Sequence, residues 1–417
     1  MTRFTVTARP LALSVLFSAS LCGLPLSAQA DGFIDDAQAS LHLRNFYLHR
    51  DFSNSAHPQS QAGEWTQSFI LDARSGYTSG VLGLGVDVLG LYALKLDGGR
   101  GTTNTSLLPV HDGGHPADDF GRLGVAGKAR ISRTELRFGE WMPVLPILRS
   151  DDGRALPQSF QGAQLTSDQF DDLTLYAGQF RGNSPRNDGS MEDMMYGGAS
   201  SDRLNFAGGE YRFNAERSLV GLWHAQLKDI YRQQYLQLRH SQPVGDWLLA
   251  ANLGYFHGRE DGSERAGKLD NRTWSALLSA SRSGHTLYLG LQKVSGDSDW
   301  MRVNGTSGGT LANDSYNASF DHAGERSWQL RYDYDFAAAG LPGLGFMTRY
   351  ISGDQVDTAT GSDGKEWVRE SELAYTVQSG TFRNLSLRWR NSSLRSNFST
   401  SEFDENRLIL NYSLPLL

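Results

Sequence analysis

The feature that most limits what this chain can become is a two-residue alternation of apolar and polar side chains that returns in segment after segment. In the clearest stretch Trp328, Leu330, Tyr332, Tyr334 and Phe336 stand against Gln329, Arg331, Asp333 and Asp335. Successive side chains of a strand point to opposite faces, so this period specifies strands with one greasy and one wet side. The same pattern sets Leu41, Leu43, Asn45 and Tyr47 against His42, Arg44, Phe46 and Arg50, and Leu123, Val125, Ala129 and Ile131 against Lys128 and Arg130. It sets Leu219, Trp223, Ala225 and Leu227 against Val220, His224, Gln226 and Lys228. Near the end Leu385, Leu387 and Trp389 oppose Ser386, Arg388 and Arg390, and Leu408, Leu410, Tyr412, Leu414 and Leu416 oppose Arg407, Ile409, Asn411 and Ser413. An all-β chain is expected.

Such a chain is either a soluble sandwich or a membrane barrel, and the alternation alone does not choose. Residues 1–30 read as a secretory signal: Arg3 and Arg9, an apolar run too short to span with Pro25 inside it, then Ala28-Gln29-Ala30. The expected mature domain is 31–417. The single cysteine, Cys22, falls in that signal and makes a poor lipoprotein motif, so the mature chain has no disulfide framework. A mean hydropathy of −0.42 and the lack of another long apolar run exclude a helical membrane protein. Three features favour the barrel: aromatics such as Trp328 and Phe336 at strand ends, connections that alternate between short and long, and a last strand apolar on one face to its end.

The connections give a strand count. Short turns read at 75–80, 132–134, 166–172, 212–217, 241–246, 281–285, 337–343 and 378–384. Between them lie polar segments at 52–66, 97–121, 140–158, 181–203, 228–233, 258–271, 295–326, 353–367 and 393–405. With both chain ends on the turn side, these boundaries predict an 18-stranded antiparallel transmembrane β-barrel. Its weakest strand is 159–165. A barrel of that size encloses water rather than a packed interior. One segment demands such a hollow. Loop 140–158 carries Met142, Val144, Leu145, Ile147 and Leu148 broken by Pro143 and Pro146, apolar surface that cannot stay in water and cannot form a helix. It is expected to fold inward with loop 295–326 and to build the pore constriction from Leu145, Arg149, Asp151, Asp152 and Asp297. A loop laid over a soluble core is the plainer alternative.

If the face shared by Leu387, Trp389 and Leu410 meets lipid, then Arg44, Lys128, Arg130, Arg349, Arg388, Arg390 and Arg407 face the lumen. In a chain of net charge −7 that is a segregated basic wall, and arginine holds carboxylates through two parallel hydrogen bonds. Several moderate sites in series let an anion enter and still leave. The alternative is that these arginines pair with inward acids such as Glu135, Glu370 and Glu372 and only brace the wall. Other motifs fail. Gly296-Asp297-Ser298 lacks the glycines of a serine-protease segment, His111 and His115 flank a loop rather than a helix, the Gly-Gly pairs are not followed by Gly-Lys-Ser/Thr, and Asn304-Gly305-Thr306 is a chance match. No cofactor, metal or nucleic-acid partner is expected, and no nucleophile and base can be placed together to make an enzyme.

Several segments carry a family resemblance: FIDD at 33–36, LRNFYLHRDF at 43–52, MPVLPILRSDDGRALPQSF at 142–160, GGEYRF at 208–213, RSWQLRYDYDF at 326–336, GLPGL at 340–344 and LSLRWRN at 385–391. Together with others along the mature chain they resemble the OprD family of substrate-specific porins of pseudomonads. The resemblance implies an eighteen-stranded barrel of the bacterial outer membrane, an eyelet made by the third and seventh loops, and a ladder of basic residues matched here by Arg44, Arg349, Arg388, Arg390 and Arg407. The chain ends in Leu417 where such proteins more often end in Phe, and NDSYNASFDHAGE at 313–325 falls in a variable loop. The expected function is passive diffusion of small anionic or zwitterionic carboxylates, with amino acids, short peptides and aromatic acids all open, through a monomer or loose trimer embedded in outer-membrane lipid. The alternative is a structural or adhesive barrel with a plugged lumen.

Overall fold

The computed structural model describes residues 32–417, so the expected signal peptide at 1–30 lies outside the described residues. The barrel strands are β1 Gln38–Phe52, β2 Gln61–Arg74, β3 Leu82–Asp97, β4 Asp119–Ile131, β5 Thr134–Trp141 and β6 Ser159–Phe170. They continue as β7 Leu173–Ser184, β8 Leu204–Phe213, β9 Ser218–Leu227, β10 Tyr231–Val244, β11 Trp247–Glu260 and β12 Asp270–Arg282. The last six are β13 His285–Gly296, β14 Arg326–Asp335, β15 Leu344–Thr358, β16 Gly361–Thr376, β17 Ser386–Ser396 and β18 Phe403–Pro415. They form one antiparallel 18-stranded sheet. It closes where β1 pairs with β18, from Ser40 opposite Pro415 to Phe52 opposite Phe403. Closure satisfies every strand's backbone groups sideways, which a hydrocarbon environment requires.

Strand boundaries differ from the sequence reading at several places, two of them with a clear physical cause. The segment 159–165 is part of a full strand, Ser159–Phe170, paired on both sides with a bulge between Gln161 and Gly162. Its alternation is blurred because Phe160 turns inward onto Phe180 while Gly162 carries no side chain. The expected loop 353–367 is instead mostly hairpin, since β15 and β16 run on to Thr358 and from Gly361. Register shifts around Val356, with Gln355 at φ 64°, let this hairpin twist beyond the membrane, where both faces are wet and no apolar period survives.

The outer wall carries Leu123, Val125, Ile131, Trp328, Leu330, Leu387, Trp389 and Leu410, all exposed as a lipid-facing surface requires. On β9 the apolar face turns the other way. Trp223, Ala225 and Leu227 are buried inward and Leu222 takes the outer side. The cause is the inward-folded loops: this part of the inner wall is a floor for apolar loop residues, so it is greasy on both faces. Gly208, directly opposite Trp223 in the register, is part of that packing, because a Cβ there would stand 2.4 Å from the indole.

Candidate functional site

The third outer loop, 142–158, enters the lumen and is held at both ends by burial. A small hairpin pairs Val144–Leu145 with Leu148–Arg149, the reversal being made at Pro146 and Ile147. Leu145, Ile147 and Leu148 are buried against wall residues Trp141 and Trp223 and against Trp300, Met301 and Leu311 of the seventh loop, 297–325. Farther along, Ala155 and Leu156 sink into a second cluster with Phe46, Leu48, Leu107 and Leu108. A fully buried Leu or Ile contributes ~1.5–3 kcal/mol, so this anchorage is strong enough to fix the loop as a shelf. Hydrogen bonds tie the two loops: the Ser307 N–H donates to Arg149 O at 3.0 Å and the Thr310 hydroxyl to Pro146 O at 2.9 Å. Between the clusters the polar segment Asp151-Asp152-Gly153 faces open space.

Across that space stands a row of guanidinium groups, each backed by a carboxylate. Arg44 on β1 makes a forked bond to Asp152, at 2.8 and 3.1 Å. Arg349 on β15 binds Glu370 at 2.5 Å, Arg390 on β17 binds Glu372 at 2.5 Å, and Arg407 on β18 binds Glu405 at 2.6 Å. Glu405 also takes Arg50 at 2.6 Å, and Arg388 reaches Glu372 only at 3.9 Å. The register makes the row continuous, because Arg390 and Arg407 are direct cross-strand partners. Tyr316, from the seventh loop, lies under Arg390 at 3.8 Å and Arg349 at 4.7 Å and donates to Glu372 at 3.2 Å. Cations over a ring face are attracted by its quadrupole, so the tyrosine holds the row in line.

Two cavities meet at this row. The outer one, about 1030 Å³, is lined by Arg50, Arg349, Arg390, Arg407 and the loop segment 149–154. The inner one, about 490 Å³, is lined by His42, Arg44, Arg388, Arg390 and Asn411. They share Asp152, Gly153 and Arg390, which therefore mark the neck between them. A solute crossing from one to the other passes Arg349 and Arg407, then Arg390, then Arg388 and Arg44.

Several expected site residues lie elsewhere. Lys128 donates to Ser75 O and Asp87, both at 2.7 Å, and Arg130 stacks 4.0 Å from the Tyr77 ring, whose hydroxyl bonds Glu135. Both brace the short-turn end of the wall and line neither cavity. Asp297 accepts from the Asp270 N–H and the Ser298 hydroxyl at the outer start of the seventh loop, away from the neck. Leu145 anchors the shelf from behind rather than lining the opening, while Arg149 and Asp151 do line the outer cavity. Asp151 is held by Arg186 at 2.5 Å.

Sequence reasoning missed Tyr316, Arg154, Arg186 and Arg302, all on irregular loops where no period marks a face. Arg154 is buried and donates to Thr105 O and Gly153 O, both at 2.9 Å; burial, assisted by the nearby Arg407, holds it well below the usual guanidinium range. Burial pushes the loop carboxyl of Asp314 up to about 6. Arg50 was legible, since the alternation placed it on the lumenal face of β1.

With this geometry in view, comparison with known proteins is decisive. Residues 31–416 match the model of the outer membrane porin, OprD family. The chain belongs to the OprD family. It is 61% identical over 415 residues, 99% of each chain, to the porin-like protein GalP of Pseudomonas putida. It superposes with TM-score 0.92 on a BenF-like porin from Pseudomonas fluorescens, at 66% identity over 92% of this chain and 100% of that one. OccK2 (OpdF) of Pseudomonas aeruginosa in complex with glucuronate gives TM-score 0.86 and 66% identity over 93% and 100% of the two chains. OprD-family porins are outer-membrane channels and not enzymes, and this chain is a substrate-specific porin of that kind.

Proposed function

We propose that this porin passes small organic anions whose handle is a carboxylate, in preference to basic amino acids. The observation that carries the reading is the order of the guanidiniums along the passage. Arg349 and Arg407 stand buried in the wall of the outer cavity and act through their field, while Arg390 at the neck and Arg388 and Arg44 in the inner cavity keep part of their guanidinium groups open, so an anion meets positive charge along the whole passage. Asp152 at the neck and Asp151 in the outer cavity are already paired with Arg44 and Arg186, which weakens their pull on a substrate ammonium. Each ladder arginine keeps a backing carboxylate, which weakens any one site and suits diffusion rather than trapping. Movement is passive, down a gradient. The glucuronate complex of OccK2 supports the same substrate class.

Liposome swelling with glucuronate, benzoate, glutamate, arginine and glucose tests it. Swelling fastest with glucuronate and benzoate is expected. Arginine entering as fast as glucuronate would refute the anion preference, and absence of any single-channel conductance would revive the plugged barrel.

A further inference from the structure

Beneath the loop shelf the lumen holds a third cavity, on the opposite side from the ladder. Its volume is about 500 Å³, and it is floored by β8 to β12 on the short-turn side. Four guanidiniums line it, those of Arg149, Arg212, Arg217 and Arg239, against only two carboxylates, Glu210 and Glu216. Arg212 meets Glu210 at 3.3 Å. Arg149, Arg217 and Arg239 are exposed and, among the described residues, have no carboxylate within ion-pair distance. That is the reverse of the ladder, where every guanidinium is backed by a carboxylate, Glu372 serving Arg388 and Arg390 and Glu405 serving Arg50 and Arg407. The cavity touches the outer one at Val144 and Arg149 and shares no lining residue with the inner cavity of the passage.

Uncompensated guanidiniums around a water-filled hollow bind oxyanions, carboxylate or phosphate alike, through charge-assisted hydrogen bonds. We infer that this cavity is a separate anion-binding compartment, filled from the periplasmic face by a small solute bearing a carboxylate or phosphate group. On the short-turn side it reaches Glu216, Arg217 and Ser218 at the turn between β8 and β9, the side where β1 begins and β18 ends. It meets the passage only at Val144 and Arg149 and lies off the row of ladder arginines, so it does not depend on the substrate preference argued above.

The experiment uses single channels of the full barrel inserted in one orientation, with inorganic phosphate or glucuronate added to the short-turn side. The probe that interrupts the current at the lower concentration identifies which oxyanion the compartment prefers. The Arg217→Gln, Arg239→Gln double variant is expected to raise the half-blocking concentration about five-fold or more, the effect of one solvent-screened charge contact. Parent and double variant are both read in an Arg388→Gln background, so that the ladder's own inner-side contact does not contribute. A block left unchanged by the double variant in that background, or no block of the wild-type channel by either probe, would overturn the compartment. Gel mobility of the unheated barrel checks folding. Bromide-soaked wild-type crystals give an independent reading: an anomalous peak beside Arg217 and Arg239 is expected, and its absence counts against the site.

Discussion

Arg388→Gln separates attraction of a solute from bracing of the wall, because this arginine is the loosest member of the ladder. Its side chain is 44% exposed and its nearest carboxylate oxygen, on Glu372, is 3.9 Å away. A solvent-screened charge at about 4 Å from a passing carboxylate is worth ~1 kcal/mol. Removing it should therefore raise the half-saturating glucuronate concentration by roughly five-fold. The pair itself, being wet and long, stabilises by about 0–1 kcal/mol, so thermal unfolding in detergent should barely change. Arg349→Gln is the contrast. It strands Glu370, which is 0% exposed, and breaking such a buried pair from one side costs about 3–5 kcal/mol. Single-channel currents titrated with glucuronate, together with heat-induced gel shifts, report both quantities. Unchanged half-saturation in Arg388→Gln would refute the claim that this guanidinium contacts the solute, and a cooperative loss of stability there would make it a brace.

Three further outcomes follow from the same geometry. Leu148→Ala, at a side chain 2% exposed in the shelf anchor, should cost about 2–5 kcal/mol locally, loosen the third loop, and raise single-channel conductance while lowering anion selectivity. Tyr316→Leu removes the ring beneath Arg349 and Arg390, each such contact being worth ~0.5–2 kcal/mol, and should broaden the open-channel current levels, whereas Tyr316→Phe keeps the ring and should resemble wild type. His322, in the seventh loop, is pushed up to about 9 by the Asp299 carboxylate 3.7 Å away, with Glu366 and Asp321 adding to the effect and burial opposing it. A folded value above the ordinary 6.5 contributes stability in full below that pH, and the contribution disappears as pH rises through about 9. Protease cleavage of the seventh loop should therefore speed up between pH 7 and 10, and His322→Gln should weaken that pH dependence, the buried Glu325, pushed up to about 9, supplying the remainder.

The alternation of side chains specified strands with one greasy and one wet face; only with the short and long connections did it give a closed wall, its strand number and the inward direction of Arg44, Arg349, Arg388, Arg390 and Arg407. A strand has only two faces, and lipid and water accept opposite residues. The prolines and apolar side chains of 142–148 were likewise enough to require that this loop be buried inside. Which groups meet within the lumen was decided by tertiary structure alone. Lys128 and Arg130 share the correct face but stand beside the turn at 132–134, and only the fold shows them spent on Ser75, Asp87 and the Tyr77 ring. Tyr316 lies in a loop with no period and acquires its place only when the seventh loop folds down onto Arg390. The inward turn of Trp223 on β9 has the same origin: the period marks one face as greasy, but only the arrival of Leu145 and Leu148 against that wall decides that the greasy face looks into the barrel rather than out to lipid.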